Sequence, residues 1–90
     1  MTIFVLIALN QAPSVQAAVQ RVYPDDFLKV SEDVWLISAK GTSKDISDAL
    51  NITEGLGGTS GMVFASAGYF GRAAPSYSEW VANKLGPVVI

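Results

Sequence analysis

The segment Tyr69-Phe70-Gly71-Arg72 combines side chains suited to ligand recognition at the end of a predicted strand. An arginine beside aromatic rings can stack on a nucleobase or bind a phosphate, and the same residue types are frequent in protein–protein interfaces. The structural alternative is that Phe70 packs in the core while Arg72 lies along a tryptophan with its guanidinium in water. The residues we predict to form a ligand- or partner-binding surface are Tyr69, Phe70, Arg72 and Lys40.

Two pairs of neighbouring acids, Asp25-Asp26 and Glu32-Asp33, are the candidates for cation binding or acid–base chemistry. Neither pair has a further acid at a recognisable ligand spacing, so solvated positions near a helix end and in a turn are the simpler interpretation. The chain also has no histidine and no cysteine, which removes the commonest general base, thiolate metal ligands and Ser–His or Cys–His nucleophile pairs. We therefore predict no catalytic residue, no metal site and no cofactor, and favour a non-catalytic protein over an enzyme.

The glycine-rich run from Gly55 to Gly61 is a candidate anion site, because successive backbone N–H groups can surround a phosphate. A Walker loop requires Gly-Lys-Ser/Thr, and this run contains no lysine. A dinucleotide-binding loop lies between a strand and a helix, whereas these glycines precede a predicted strand. A plain connector is therefore the favoured interpretation.

The charge pattern disfavours nucleic acid as a partner without excluding it. Six basic and eight acidic residues give a formal net charge of −2. Nucleic-acid binding depends on neutralising phosphates, usually by a basic stripe, and here the basic residues are scattered. Folding or oligomerisation would have to gather Lys40, Lys44 and Arg72 to form such a surface.

The opening apolar run, residues 3–9, is too short to cross a bilayer. No Lys or Arg precedes Arg21, so the cationic segment of a signal peptide is missing, although Val15-Gln16-Ala17 would suit cleavage. The run is rich in β-branched residues, which favours a buried strand. We expect a cytoplasmic protein that does not enter a membrane.

Hydrophobic periodicity predicts the strands and the helix in the first half of the chain. Residues 2–9 form a strand covered on both faces or in a dimer, and Pro13 suits the first turn of a helix that ends at Tyr23-Pro24. Residues 27–30 and 34–38 form two short strands joined by a polar turn. Apolar residues spaced at i, i+3, i+4 and i+7 form one face of this helix: Val15, Ala18, Val19 and Val22.

Helix-capping signals predict the two helices in the second half of the chain. Thr42-x-x-Asp45 resembles a capping box and begins a short helix that ends near Asn51. Residues 62–67 form a further strand. Ser76-x-x-Glu79 is a second capping box, and its helix ends at Gly86-Pro87. The apolar residues of this last helix predicted to be buried are Tyr77, Trp80, Val81 and Leu85.

The succession β-α-β-β-α-β-α predicts the α+β class, as a ferredoxin-like βαββαβ sandwich with an extra C-terminal helix. Residues 1–86 would form a single domain and residues 87–90 an apolar tail. Two helices would cover one face of a four-stranded antiparallel sheet, so the apolar second face must be covered by the third helix or by another protomer. We predict an interface role for the tail residues Val88, Val89 and Ile90.

The chain resembles a known group of proteins in four segments: Val34-Trp35-Leu36-Ile37, Thr42 to Leu50, Tyr69 to Arg72, and Trp80-Val81. The chain is similar to small bacterial and phage ferredoxin-like proteins around the CRISPR-adaptation nuclease subunit and the VapD-type toxins, some of them labelled SinR family. The resemblance implies a homodimer, sometimes with metal-dependent nuclease activity. Its nuclease members hold the metal with an aspartate after the first strand, and the corresponding residue here is most simply Asn10, which lacks the anionic charge. The nearest alternatives, Asp25 and Asp26, precede the second strand at the opposite end of the first helix.

These observations lead to a first hypothesis, a small non-catalytic homo-oligomeric interaction or regulatory protein that binds a protein or nucleotide ligand, with a dimer favoured. The alternative is a divergent metal-dependent nuclease or toxin-like RNase of the same fold group. A third hypothesis is a nucleotide-sensing module that uses Arg72 and Tyr69.

Overall fold

The computed structural model describes residues 2–55, 58–66 and 75–85. Within them it contains four strands and three helices, so the predicted α+β class is confirmed. The elements are β1 (Thr2–Asn10), α1 (Ala12–Val22), β2 (Phe27–Ser31), β3 (Val34–Ala39), α2 (Ser43–Ala49), β4 (Ser60–Ala65) and α3 (Pro75–Leu85). The longest of these helices have eleven residues, and none in the described part of the chain is long and apolar enough to cross a membrane.

The four strands form one sheet in the order β2-β3-β1-β4, and every pair of neighbours is antiparallel. The strand β1 therefore lies inside the sheet, with Phe4 opposite Ile37 of β3 on one side and opposite Ala65 of β4 on the other. Its central position explains why its apolar run is longer and more continuous than that of the two edge strands. The predicted first strand is confirmed, with its end one residue later at Asn10.

The main hydrophobic core lies between one face of the sheet and the helices α1 and α2. Alternate side chains of β1 point into it, as the two-residue period of a strand requires. The predicted stripe of α1 is confirmed, since Val15, Ala18 and Val19 are buried and Val22 is half-buried. Each large side chain removed from water here contributes about 1.5–3 kcal/mol. The members that are almost fully buried are Phe4, Leu6, Val15, Val19, Trp35, Ile37, Ile46 and Leu50.

The capping box predicted at the start of α2 is confirmed. The backbone N–H of Asp45 donates to Oγ1 of Thr42 at 3.2 Å, and the backbone N–H of Thr42 donates to Oδ2 of Asp45 at 2.8 Å. These two bonds satisfy backbone donors that a helix start leaves open, which contributes about 1 kcal/mol. Gly41 precedes the box with a φ of +106°, a conformation that would strain any other residue, and a Cβ there would also lie 2.6 Å from Oδ2 of Asp45, the atom that accepts the capping bond.

The capping box predicted for the last helix is wrong in its register. The helix α3 begins at Pro75, so Ser76 is its second residue and cannot act as its N-cap. The reason is that proline is itself suited to the first helical position, where its missing N–H is not needed. The burial prediction for this helix is met in part, because Val81 is buried whereas Tyr77 and Trp80 are half-buried.

The helix α3 covers one end of the second sheet face. Ile3 alternates with the core residues of β1 and so lies on that face, yet Ile3 and Val81 are both buried outside the main core. The helix contacts β1, and Nζ of Lys84 donates to Oδ1 of Asp26 at 2.8 Å, just before β2. Of the two expected covers of this face, the third helix or a second protomer, the helix is thus present at the Ile3 end.

Candidate interaction surface

Of the residues predicted to bind a ligand or partner, only Lys40 lies within the described part of the chain. Tyr69, Phe70 and Arg72 lie outside the described residues, and so do the tail residues Val88, Val89 and Ile90. Lys40 follows β3 and is exposed at the turn before α2. The surface predicted around the aromatic segment thus stays a prediction.

Both acidic pairs contain a carboxylate with a lysine partner. Lys84 contacts Asp26 and also donates to the backbone oxygen of Asp25 at 3.1 Å, while its Nζ lies 5.9 Å from the centre of the Trp80 ring. Nζ of Lys29 lies 3.8 Å from Oε2 of Glu32 across the β2–β3 turn. No cluster of three or more potential metal ligands occurs within residues 2–55, 58–66 and 75–85. These carboxylates are therefore engaged in ion pairs, of which the Lys84–Asp26 contact links α3 to the segment before β2.

The side chain of Asn10 is engaged in local structure at the end of β1. Its Oδ1 accepts from the backbone N–H of Gln11 at 2.9 Å, and its Nδ2 donates to the backbone oxygen of Gly58 at 3.2 Å. Gln11 has a φ of +56°, a left-handed conformation that the bond from Asn10 helps to hold. An aspartate could accept the first bond but could not donate the second. The amide therefore has a structural role at the position where the resemblance implies a metal-binding aspartate.

The described part of the glycine-rich run makes a turn before β4. Gly55 and Gly58 both have positive φ, and the N–H of Gly58 donates to the backbone oxygen of Gly55 at 3.1 Å. Gly61 lies inside β4, where a Cβ would come 2.7 Å from the backbone oxygen of Ile7. The positions of these three glycines therefore follow from the turn and from close strand packing.

The second face of the sheet carries exposed apolar side chains on β4. Met62 and Phe64 are 51% and 49% exposed, and they lie opposite Ile7 and Val5 of β1, which are half-buried. Val63 between them points to the helical face and packs against the main core. We call Met62, Phe64 and the half-buried Val5 and Ile7 beside them the β4 patch.

The outer edge of β4 presents backbone hydrogen-bonding groups. The N–H of Ser66 donates to the backbone oxygen of Ile3 at 2.9 Å, so the backbone groups of Ser66 point toward β1. In an antiparallel pair, residues whose backbone groups point toward the partner strand alternate with residues whose groups point away from it. The N–H and C=O groups of Gly61, Val63 and Ala65 therefore point away from β1, and β4 has no neighbouring strand on that side among the described residues.

The two edges of the sheet differ in their protection. The β2 edge carries the charged Lys29 and a register shift between Lys29 and Ser31, both of which hinder pairing with another strand. The β4 edge, Ser60–Ala65, has no charged residue and no proline. A neutral, apolar edge of this kind is the type that pairs with a further strand.

The helix α2 lies beside the β4 edge and carries charged side chains, whereas the strand itself has none. A shallow groove of about 240 Å³ runs between them, lined by Ser43, Lys44, Ser47, Thr53, Gly61, Met62 and Val63. Nζ of Lys44 donates to Oδ2 of Asp48 at 2.8 Å, and this bond raises the pKa of Lys44 and lowers the pKa of Asp48. Both side chains therefore stay ionised at neutral pH.

Tyr23 is the residue near the N-terminus of α2 whose ionisation is disfavoured. Partial burial is the larger cause of its raised pKa, and the negative charge of Asp45 is the smaller one. Its phenol is therefore neutral at physiological pH, and its ring packs against the main core.

Sequence reasoning recognised β4 as a strand but missed the β4 patch. The available signal was the combination of alternating large apolar residues with an absence of charge from Ser60 to Ala65. That signal does not say whether a strand is central or at an edge, and the pairing order decides this. Compared with known proteins, the sequence matches no protein-family model and no curated protein.

Proposed function

We propose that this protein is a small ferredoxin-like, non-catalytic interaction protein that forms homo-oligomers through the β4 patch. The ferredoxin-like assignment is supported by the strand order β4-β1-β3-β2 with antiparallel neighbours and by the succession of elements from β1 to β4. In this plan two helices share one face of the sheet, and the part of the other face that α3 does not cover is available for contacts.

The observation that carries the proposal is the half-exposure of Met62 and Phe64 on an edge strand without charge. Burying such side chains is favourable by about 25 cal/mol per Å² of apolar surface removed from water. Hydrophobic positions that cluster on one strand and continue onto Val5 and Ile7 are typical of an interaction surface, whereas single exposed apolar residues are common everywhere. A protein or nucleotide ligand would then be bound by the assembled form.

Size-exclusion chromatography with light scattering at micromolar concentration tests this proposal. We expect at least twice the 9.5 kDa mass of one chain. The variants Phe64→Lys and Met62→Lys should shift the protein to the monomer, because a lysine charge cannot be buried unpaired at a contact. Val30→Lys is the matched control, since Val30 is 39% exposed on the opposite edge strand and should assemble normally.

A wild-type protein that stays monomeric up to high micromolar concentration would refute the proposal. So would normal assembly of Phe64→Lys together with Met62→Lys, because the contact would then lie elsewhere. Circular dichroism should show the same secondary structure for all three lysine variants, which separates loss of assembly from loss of folding.

A further inference from the structure

We infer that the partner of β4 is β4 of a second copy, paired antiparallel about a twofold axis at Val63, so that two four-stranded sheets join into one. This inference rests on the proposed function and specifies the geometry of its contact. Three features support it: which backbone groups of β4 point away from β1, which side chains meet across the axis, and which charges lie near the axis.

The backbone fixes which registers are allowed. Hydrogen-bonded pairs must form between outward-pointing residues, which in β4 are Gly61, Val63 and Ala65. An axis at Val63 pairs Val63 with itself and Gly61 with Ala65 of the second copy. All three outward residues are then paired within the strand. An axis at Met62 or at Phe64 would instead leave one of them to pair beyond the limits of β4.

The side chains are complementary in this register. Met62 lies opposite Phe64 of the second copy, and Phe64 opposite its Met62, all on the second face of the joined sheet. A thioether beside an aromatic ring is a favourable contact, and residues in such a non-hydrogen-bonded pair approach closely, with Cα atoms about 4.5 Å apart. The most exposed residues of the β4 patch would thus cover one another.

The charges also favour this pairing. The strand itself is neutral, so two copies approach without repulsion. On the neighbouring helix, Lys44 precedes Asp48 by one turn, and Lys44 lines the groove beside Met62 and Val63. Each Lys44 is already paired with Asp48 of its own helix at 2.8 Å, so its charge near the axis is compensated within each chain. A twofold pairing of the β2 edge would instead bring the two copies of Lys29 together.

Disulfide cross-linking of two single-cysteine chains tests the register, and the natural sequence contains no cysteine to interfere. We would mix Met62→Cys chains with differently tagged Phe64→Cys chains under mild oxidation. The expected product is the mixed disulfide, at least several-fold in excess over either homodimeric disulfide. Preferential linkage of Met62→Cys to itself would place the axis at Met62 and overturn the inference, as would preferential self-linkage of Phe64→Cys.

A proline substitution tests the backbone contact. Val63→Pro removes an N–H that points outward, so the inner ladder to β1 is kept, and we expect a folded monomer. Lys29→Pro is the matched control, because Lys29 also presents its N–H outward on the opposite edge, and it should still assemble. Circular dichroism should report both variants as folded.

The outcomes separate this inference from the proposed function. If the wild type assembles but Val63→Pro also assembles and no mixed disulfide forms, the geometry is overturned while the oligomeric function stands. If the wild type is monomeric, both fail. If the Val63 amide is as strongly protected from hydrogen exchange in a sample that light scattering shows to be monomeric as in the assembled protein, another segment of the same chain covers β4, and the inference also fails.

Discussion

The indole N–H of Trp35 on β3 donates to the side-chain oxygen of Gln16 on α1, across the interface between the helix and the sheet. Trp35 has no solvent exposure, so its N–H cannot bond to bulk water. The glutamine therefore allows a large ring to be buried without leaving a polar group unpaired. Trp35 supplies apolar surface to the core, and Gln16 supplies the acceptor that its position requires.

Replacing Gln16 by leucine should destabilise the protein by about 1–3 kcal/mol, because the buried indole N–H loses its partner. Gln20→Leu on the exposed face of α1 is the matched control and should change stability by less than about 0.5 kcal/mol. Urea denaturation followed by tryptophan fluorescence measures both. Equal stability of the two variants would show that the hydrogen bond contributes nothing.

Replacing Asn10 by aspartate should destabilise the protein by about 1 kcal/mol, because a carboxylate cannot donate to the backbone oxygen of Gly58. We also expect no gain of magnesium- or manganese-dependent cleavage of single- or double-stranded RNA or DNA. The measurements are urea denaturation and gel analysis of the four substrates. Cleavage by the wild type that is lost in Asn10→Ala or Asp26→Ala would favour the nuclease alternative instead.

Replacing Gly61 by alanine should destabilise the protein by about 1–3 kcal/mol, since the new Cβ would come 2.7 Å from the backbone oxygen of Ile7 and force the strands apart. Ser60→Ala, at the exposed neighbouring position, serves as the control and should be nearly neutral. Thermal unfolding compares the two. A Gly61→Ala protein as stable as Ser60→Ala would mean that β1 and β4 separate there without cost.

Acid should remove a stabilising contribution of Asp48. Its pKa is lowered by hydrogen bonds from Lys44 first and Thr53 second, so the folded state favours the carboxylate. A lowered folded-state pKa gives stability that is present above the ordinary value of 3.8 and is lost as the pH falls through the folded value. Asp48→Asn should therefore show a shallower loss of melting temperature between about pH 5 and pH 2.

The same pH experiment has a matched variant on the other side of the pair. Lys44→Met removes the first cause of the lowered pKa, so NMR titration should find the pKa of Asp48 closer to its ordinary value. An unchanged titration of Asp48 in Lys44→Met would show that the contact at 2.8 Å does not persist in solution.

Local rules were sufficient for the elements of this protein. The stripe of Val15, Ala18 and Val19 predicted α1, and the Thr42–Asp45 capping box predicted the start of α2, because both depend on residues three or four positions apart. The absence of histidine and cysteine was likewise enough to exclude whole classes of chemistry. The start of α3 was misplaced because a serine signal competed with Pro75 at neighbouring positions.

The sequence by itself determined the period of each segment, the limits of α1, the start of α2 and the absence of histidine and cysteine chemistry. Only the tertiary structure decided that β1 is central and β4 an edge, that Gly61 lies against Ile7, and that Gln16 meets Trp35. The physical reason is that strand partners are chosen by the burial of the whole chain, across separations of tens of residues. Local hydrogen bonds and side-chain periodicity carry no information about that choice.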